Sequence, residues 1–108
     1  MTKAIIRAGS CGFTATVTAE RGSDRKMRIT LDTDCEMVRK MMDDIRELDR
    51  TTAAMTGYAN NPVYRSAAKH LKHAACPVPS GILKVIEVEA GLNVPRDATI
   101  IFTSDPPA

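Results

Sequence analysis

A chain of 108 residues, 44% hydrophobic and 26% charged, has the makeup of a single globular domain with room for one modest core. Its formal net charge of +2 is close to balance, which argues against a nucleic-acid or membrane partner. It contains no apolar run of about 18 residues, so no transmembrane helix is expected.

The first third reads as strands. Residues 2–8 form a short apolar run, closed too soon by Arg7 and Gly9 for a signal peptide. Phe13, Ala15, Val17 and Ala19 then alternate with Thr14, Thr16, Thr18 and Glu20, the period of a half-buried strand. Turn residues follow at Arg21-Gly22-Ser23-Asp24, and Met27, Ile29 and Leu31 alternate once more. The expectation is a three-stranded antiparallel meander.

The middle of the chain changes period. Thr33 with Glu36 three residues later matches a capping box. Val38, Met41, Met42, Ile45 and Leu48 form one apolar stripe, which predicts a helix to about residue 50. Residues 51–61 lack periodicity, with room for a helical turn near Ala53 before Gly57. Asn61 as cap and Pro62 at the first helical position open a second helix carrying Val63, Ala67 and Leu71. Pro77 and Pro79 interrupt it, and a third helix spans residues 79–90, stopped by Gly91. Ala98, Ile100 and Phe102 alternate as a last strand, and residues 104–108 read as a frayed tail. The fold class is therefore α+β: a three-stranded meander, three helices packed on one sheet face, and a C-terminal strand, all in one domain over residues 1–108.

The chemistry concentrates in three cysteines: Cys11 before Gly12, Cys35 in Thr33-Asp34-Cys35-Glu36, and Cys76 in His73-Ala74-Ala75-Cys76-Pro77. Each falls at a junction between elements, where a side chain can leave the core and meet others. An odd number of cysteines without an export signal points to reduced thiols in a cytoplasm. Their spacing matches no short zinc-finger pattern, so only the tertiary fold can bring them together. If the chain stays helical from Lys72 to Cys76, His73 shares a face with Cys76 and completes a Cys3His set suited to zinc or a small iron–sulfur cluster. The plainer alternative places His73 with Lys69, His70 and Lys72 on a solvated basic face, and Asp32 or Asp34 could supply an oxygen beside Cys35. Met37, Met41 and Met42 fit the core. No phosphate-binding glycine loop or Ser-His-Asp pattern is present.

With the cysteines placed, the chain resembles the iron–sulfur scaffold proteins of the IscU and NifU N-terminal type. The resemblance rests on Cys11-Gly12 at a strand connection, Cys35 near a helix start, and His73 with Cys76 before the last helix, in the same order across residues 5–90. It implies a cluster-carrying protein without turnover of its own, serving a sulfur-donor or cluster-acceptor protein. The chain departs from that family at Phe13, where the family has an acidic residue, and at Ala74-Ala75, which separate the histidine from the cysteine. It departs again at Ala68-Lys69-His70-Leu71-Lys72, in place of a proline-rich chaperone-recognition segment, and in the strand after the last helix. The Cys-Gly-Phe and His-Ala-Ala-Cys-Pro-Val-Pro segments are also similar to a small uncharacterised family of domains of unknown function in anaerobic prokaryotes.

Three functions follow as expectations. The preferred one is a cytoplasmic thiolate metal-binding protein holding an iron–sulfur cluster or zinc. The second is a thiol enzyme or redox sensor with Cys76 as nucleophile, His73 as base and Cys35 or Cys11 as resolving thiol. The third is a structural or partner-binding domain whose cysteines only pack.

Overall fold

The computed structural model describes residues 1–104. Three strands, β1 (Thr2–Arg7), β2 (Thr14–Arg21) and β3 (Lys26–Thr33), pair antiparallel in chain order. The alternation in sequence becomes alternation in burial. Ala15, Val17 and Ala19 of β2 and Met27, Ile29 and Leu31 of β3 all point to one buried face. The β2–β3 turn closes through the Lys26 amide, which donates to the Ser23 carbonyl at 3.0 Å. Asp24 and Arg25 take left-handed φ values of 55° and 64°, the twist that a tight hairpin needs. Arg25 is held there by its partners: its guanidinium reaches Asp49 Oδ2 at 3.2 Å, and its carbonyl accepts from the Arg50 amide at 2.7 Å.

The predicted helix to residue 50 is not one helix. It is α1 (Glu36–Lys40), α2 (Met42–Ile45) and a short strand, β4 (Glu47–Asp49). Its stripe is still buried, since Val38, Met41, Ile45 and Leu48 all enter the core. The reason for the break lies outside the segment. β3 would otherwise end the sheet with unpaired backbone groups, and β4 covers the first part of that edge, pairing with Lys26, Met27 and Arg28 and setting Leu48 opposite Met27. The Ile29 amide adds a bond to the Arg46 carbonyl at 2.9 Å. The capping box is also replaced. Thr33 remains the last residue of β3, and its hydroxyl accepts from the Cys35 amide at 3.2 Å. Cys35, not Thr33, is therefore the helix cap.

Downstream, Asp49 caps α3 (Arg50–Met55) by accepting from the Thr52 amide at 2.9 Å. Asn61, almost fully buried, joins α3 to α4 (Pro62–His70). Its amide nitrogen donates to the Ala53 and Thr56 carbonyls at 2.8 and 2.9 Å, and its oxygen caps Val63 at 2.9 Å. The last helix, α5 (Val78–Glu89), packs against β1 and β2, while α1 and α2 pack against β3. Gly81 lets α5 settle on β1, because a Cβ there would stand 2.7 Å from Ile6 Cγ1. The far end of α5 is tied down by Glu89, whose carboxylate accepts from the Thr2 hydroxyl at 2.7 Å and the Arg21 amide at 3.1 Å.

The domain is thus α+β with helices on one sheet face, but with five helices and a fourth strand among the described residues. Residues 98–102 form no strand, because no neighbouring edge within the chain meets them. Of the tail, Ser104 is exposed, and residues 105–108 lie outside the described residues.

Candidate functional site

The hairpin joining β1 to β2 carries Cys11. Its loop is closed by the Ala8 amide on the Phe13 carbonyl at 3.0 Å, and by the Gly12 amide on the Gly9 carbonyl at 2.9 Å. Gly9 and Gly12 adopt φ of 92° and 79°, which a side chain would resist, so both ends of the turn displaying Cys11 depend on glycine. Cys35 stands at the β3–α1 corner. Arg39 clamps that corner by donating twice to the Thr33 carbonyl, from Nε at 3.2 Å and Nη2 at 2.8 Å.

Cys76 and His73 do not share a helix. α4 ends at His70, Leu71 turns extended, and the Cys76 amide donates to the His73 carbonyl at 3.3 Å. The helical i, i+3 relation expected from sequence is replaced by a tight turn immediately ahead of α5. Pro77 and Pro79 sit at the entry of α5, where a missing amide hydrogen is tolerated, so they fix where the next helix starts, whereas α4 has already ended by Leu71.

These three corners border one cavity of about 340 Å³ at the same end of the sheet, lined by Cys11, Cys35, Cys76 and His73. Cys11 is exposed, Cys35 buried and Cys76 intermediate, and all three are free thiols. Among the described residues, no three Cys, His, Asp or Glu side chains are grouped closely enough to hold a metal ion as they stand. The thiols therefore surround a space rather than meeting at a point. Burial pushes the Cys76 thiol up from its ordinary value, the Val78 amide opposes this, and charge on Cys35 and Cys11 would push it further up. The surroundings of Cys76 thus favour its neutral thiol.

Several residues that carried no chemical signal in the sequence complete the wall. Phe13, Met37, Val38, Leu71 and Val78 make it largely apolar. Met37 belongs to this wall as well as to the core margin. The considered oxygen donors Asp32 and Asp34 do not line the cavity, and Asp34 lies 3.9 Å from Arg39 instead.

His70 is separated from His73 by its partners. Its Nε2 lies 2.9 Å from Asp44 Oδ2, an oxygen that also accepts from the Ser66 hydroxyl at 2.7 Å, while Lys69 Nζ reaches Oδ1 at 3.0 Å. The Ser66 hydroxyl and the Lys69 ammonium, with His70 adding to them, hold the Asp44 carboxyl down from 3.8 to about 2. A depressed carboxyl stabilises the fold above its unfolded value and loses that contribution as pH falls through the folded one. Asp44→Asn should therefore lower the melting temperature at neutral pH, and the gap from wild type should close between about pH 4 and pH 2. Thermal melts at stepped pH measure this, and a gap independent of pH would assign the effect to packing.

The fold and the cavity define an α+β domain with a thiol-lined recess at one end of its sheet. The chain belongs to a family of unknown function (DUF6951), whose family model matches residues 2–102. None of the curated proteins and none of the solved structures compared with it matches. No helix among the described residues is long and apolar enough to cross a membrane.

Proposed function

We propose that the recess is a carrier site for a thiolate-bound metal cargo, an iron–sulfur cluster in preference to a single zinc ion. The observation that carries this reading is the convergence of Cys11, Cys35, Cys76 and His73, from three separate corners of the fold, on one cavity. Packing accounts for Cys35 and in part for Cys76, which borders the core, but not for the exposed Cys11. A closed zinc site draws four donors to about 2.0–2.3 Å from one ion and leaves no cavity between them. Thiolate and imidazole ligands bordering a cavity of about 340 Å³ suit an iron–sulfur cluster and zinc alike by softness, and the cavity leaves room for the larger cargo. The resemblance to the scaffold proteins supports the same choice through the order Cys11-Gly12, Cys35, His73 with Cys76.

The roles divide by exposure. Cys35, buried at a clamped corner, is the fixed anchor. Cys11, on the exposed glycine-ended turn, is the ligand that a sulfur-donor or cluster-acceptor protein would reach. A carrier site of this kind calls for a reducing compartment such as the cytoplasm, which would keep the three cysteines unpaired. The raised Cys76 thiol weighs against Cys76 as a resting nucleophile, and as a metal ligand it must give up its proton when the cargo binds.

Anaerobic purification followed by iron, zinc and acid-labile sulfide analysis tests the proposal. Iron and sulfide in matching amounts are expected, as isolated or after reconstitution. Zinc without sulfide would replace the cluster by a mononuclear site, and neither metal under any condition would overturn the carrier reading. His73→Ala should weaken cargo retention, whereas His70→Ala should leave it near wild type because His70 is engaged with Asp44. Equal retention in both variants would remove His73 from the ligand set.

A further inference from the structure

Residues 98–103, Ala98-Thr99-Ile100-Ile101-Phe102-Thr103, contain no charge, no proline and no glycine. β-branched and aromatic residues dominate them, a composition that favours strand. Yet Ile100, Ile101 and Phe102 are 84%, 78% and 95% exposed, and the segment makes no backbone hydrogen bond among the described residues. The link before it turns away from the body. Gly91 is left-handed at φ 78°, the Leu92 amide donates back to the Glu87 carbonyl at 2.9 Å, and the Arg96 amide donates to the Val94 carbonyl at 2.9 Å.

A complementary vacancy exists in the sheet. β1 is an edge strand, paired only with β2, and Ile5 on its outer face is 59% exposed. Half the amide and carbonyl groups of such a strand face outward and are a template for another strand. The family match over residues 2–102 spans β1 and nearly all of the segment, so both belong to the family's domain.

We propose that residues 98–103 of one copy pair antiparallel with the free edge of β1 in a second copy, and reciprocally, forming a two-fold dimer with a fifth strand on each sheet. The side chains fix the register. Ile101 opposite Ile5 puts Thr103 opposite Lys3 and Thr99 opposite Arg7 on the outer face. It puts Ile100 opposite Ile6 and Phe102 opposite Ala4 on the face where Ala4 and Ile6 are half-buried. A slip of one residue would send Ile100 and Phe102 to the outer face.

The same geometry favours a second copy over the chain's own edge. Glu89 bonds to Thr2, so the chain leaves α5 at the Thr2 end of β1. A segment starting there would run parallel to β1, the weaker pairing. To run antiparallel in the same molecule, the link 91–97 would first have to span the whole strand, and it is already folded back by its two turns. A second molecule can deliver the segment from the Arg7 end. Reciprocal exchange then closes the assembly, since each copy gives one segment and accepts one.

Light scattering and hydrogen exchange on the full chain test this, alone and as Ile101→Pro and Ile5→Lys. Wild type should be a dimer that dissociates on dilution, with alternate amides within residues 99–103, those turned toward β1, protected only in the dimer. Ile101→Pro should be monomeric and folded, its circular dichroism differing from wild type only by loss of the added strand, because residue 101 is 78% exposed in the single chain. Ile5→Lys should weaken dimerisation by roughly tenfold or more. A wild-type monomer at every concentration would overturn the proposal. So would a dimer indifferent to both substitutions, or protection of residues 99–103 that does not change on dilution, which would place the segment on its own β1.

Discussion

Cys35→Ser should reduce bound metal at least tenfold while leaving the metal-free protein folded and almost as stable as wild type. Serine is nearly the size of cysteine, and the corner that positions residue 35 is built from other groups: the Thr33 hydroxyl on the residue 35 amide and Arg39 on the Thr33 carbonyl. The metal-free forms should therefore differ by about 1 kcal/mol or less, as for most substitutions that open no cavity. The loaded forms should differ far more, because a ligand that binds only the folded state adds stability in proportion to the logarithm of its concentration over its dissociation constant. At a hundredfold excess over that constant the gain is about 2.7 kcal/mol. A strong chelator should accordingly lower the melting temperature of loaded wild type and leave Cys35→Ser where it was. Identical melting curves with and without chelator, in both proteins, would reduce Cys35 to a packing residue.

Asn61→Ala is expected to be among the most damaging single changes outside the hydrophobic core. The side chain makes three hydrogen bonds at a buried corner, two given to the Ala53 and Thr56 carbonyls and one accepted from Val63. Alanine would leave those backbone groups without partners, each at a cost of about 1 kcal/mol or more. A total of roughly 3 kcal/mol would lower the melting temperature by about 15 °C in a domain of this size. Asn61→Asp separates the contributions. It keeps the acceptor for Val63 but turns a carboxylate oxygen toward two carbonyls, so it should be no better than alanine. Metal content should be unaffected in either variant, since Asn61 does not line the thiol cavity. Thermal unfolding decides it, and a loss below about 1 kcal/mol would show that water replaces the amide.

The parts of the fold written in local pattern were legible in the sequence. Period-two alternation in residues 13–20 and 27–31 gave two of the meander's strands, and the Asn61-Pro62 pair gave the start of α4 within its own turn. β4 was not legible, because Leu48 satisfies helical spacing after Ile45 equally well. Only the unpaired edge of β3, far away in sequence, decides for a strand. The turn at His73–Cys76 was misread for a related reason: the helical pattern through Leu71 does not announce that Leu71 itself goes extended. That the three junction cysteines border one cavity was readable, since strand and helix ends on one side of a layered domain meet, but they are not grouped there as ligands. The apolar lining by Phe13, Met37 and Leu71 was not, because such residues look the same in any core.

The absent side chain at Gly81 reaches further than its own contact with Ile6. α5 begins at Val78, a wall of the thiol cavity, less than one helical turn before Gly81. Where α5 rests on β1 therefore fixes how far Cys76 stands from the hairpin that holds Cys11. A methyl group inserted at residue 81 would act as a wedge beneath a short beam, lifting the end of α5 nearest the thiols while Glu89 anchors the other end. The aperture of the recess is thus gauged by a position that bears no reactive atom, and a search for functional residues by chemical type alone would pass over it.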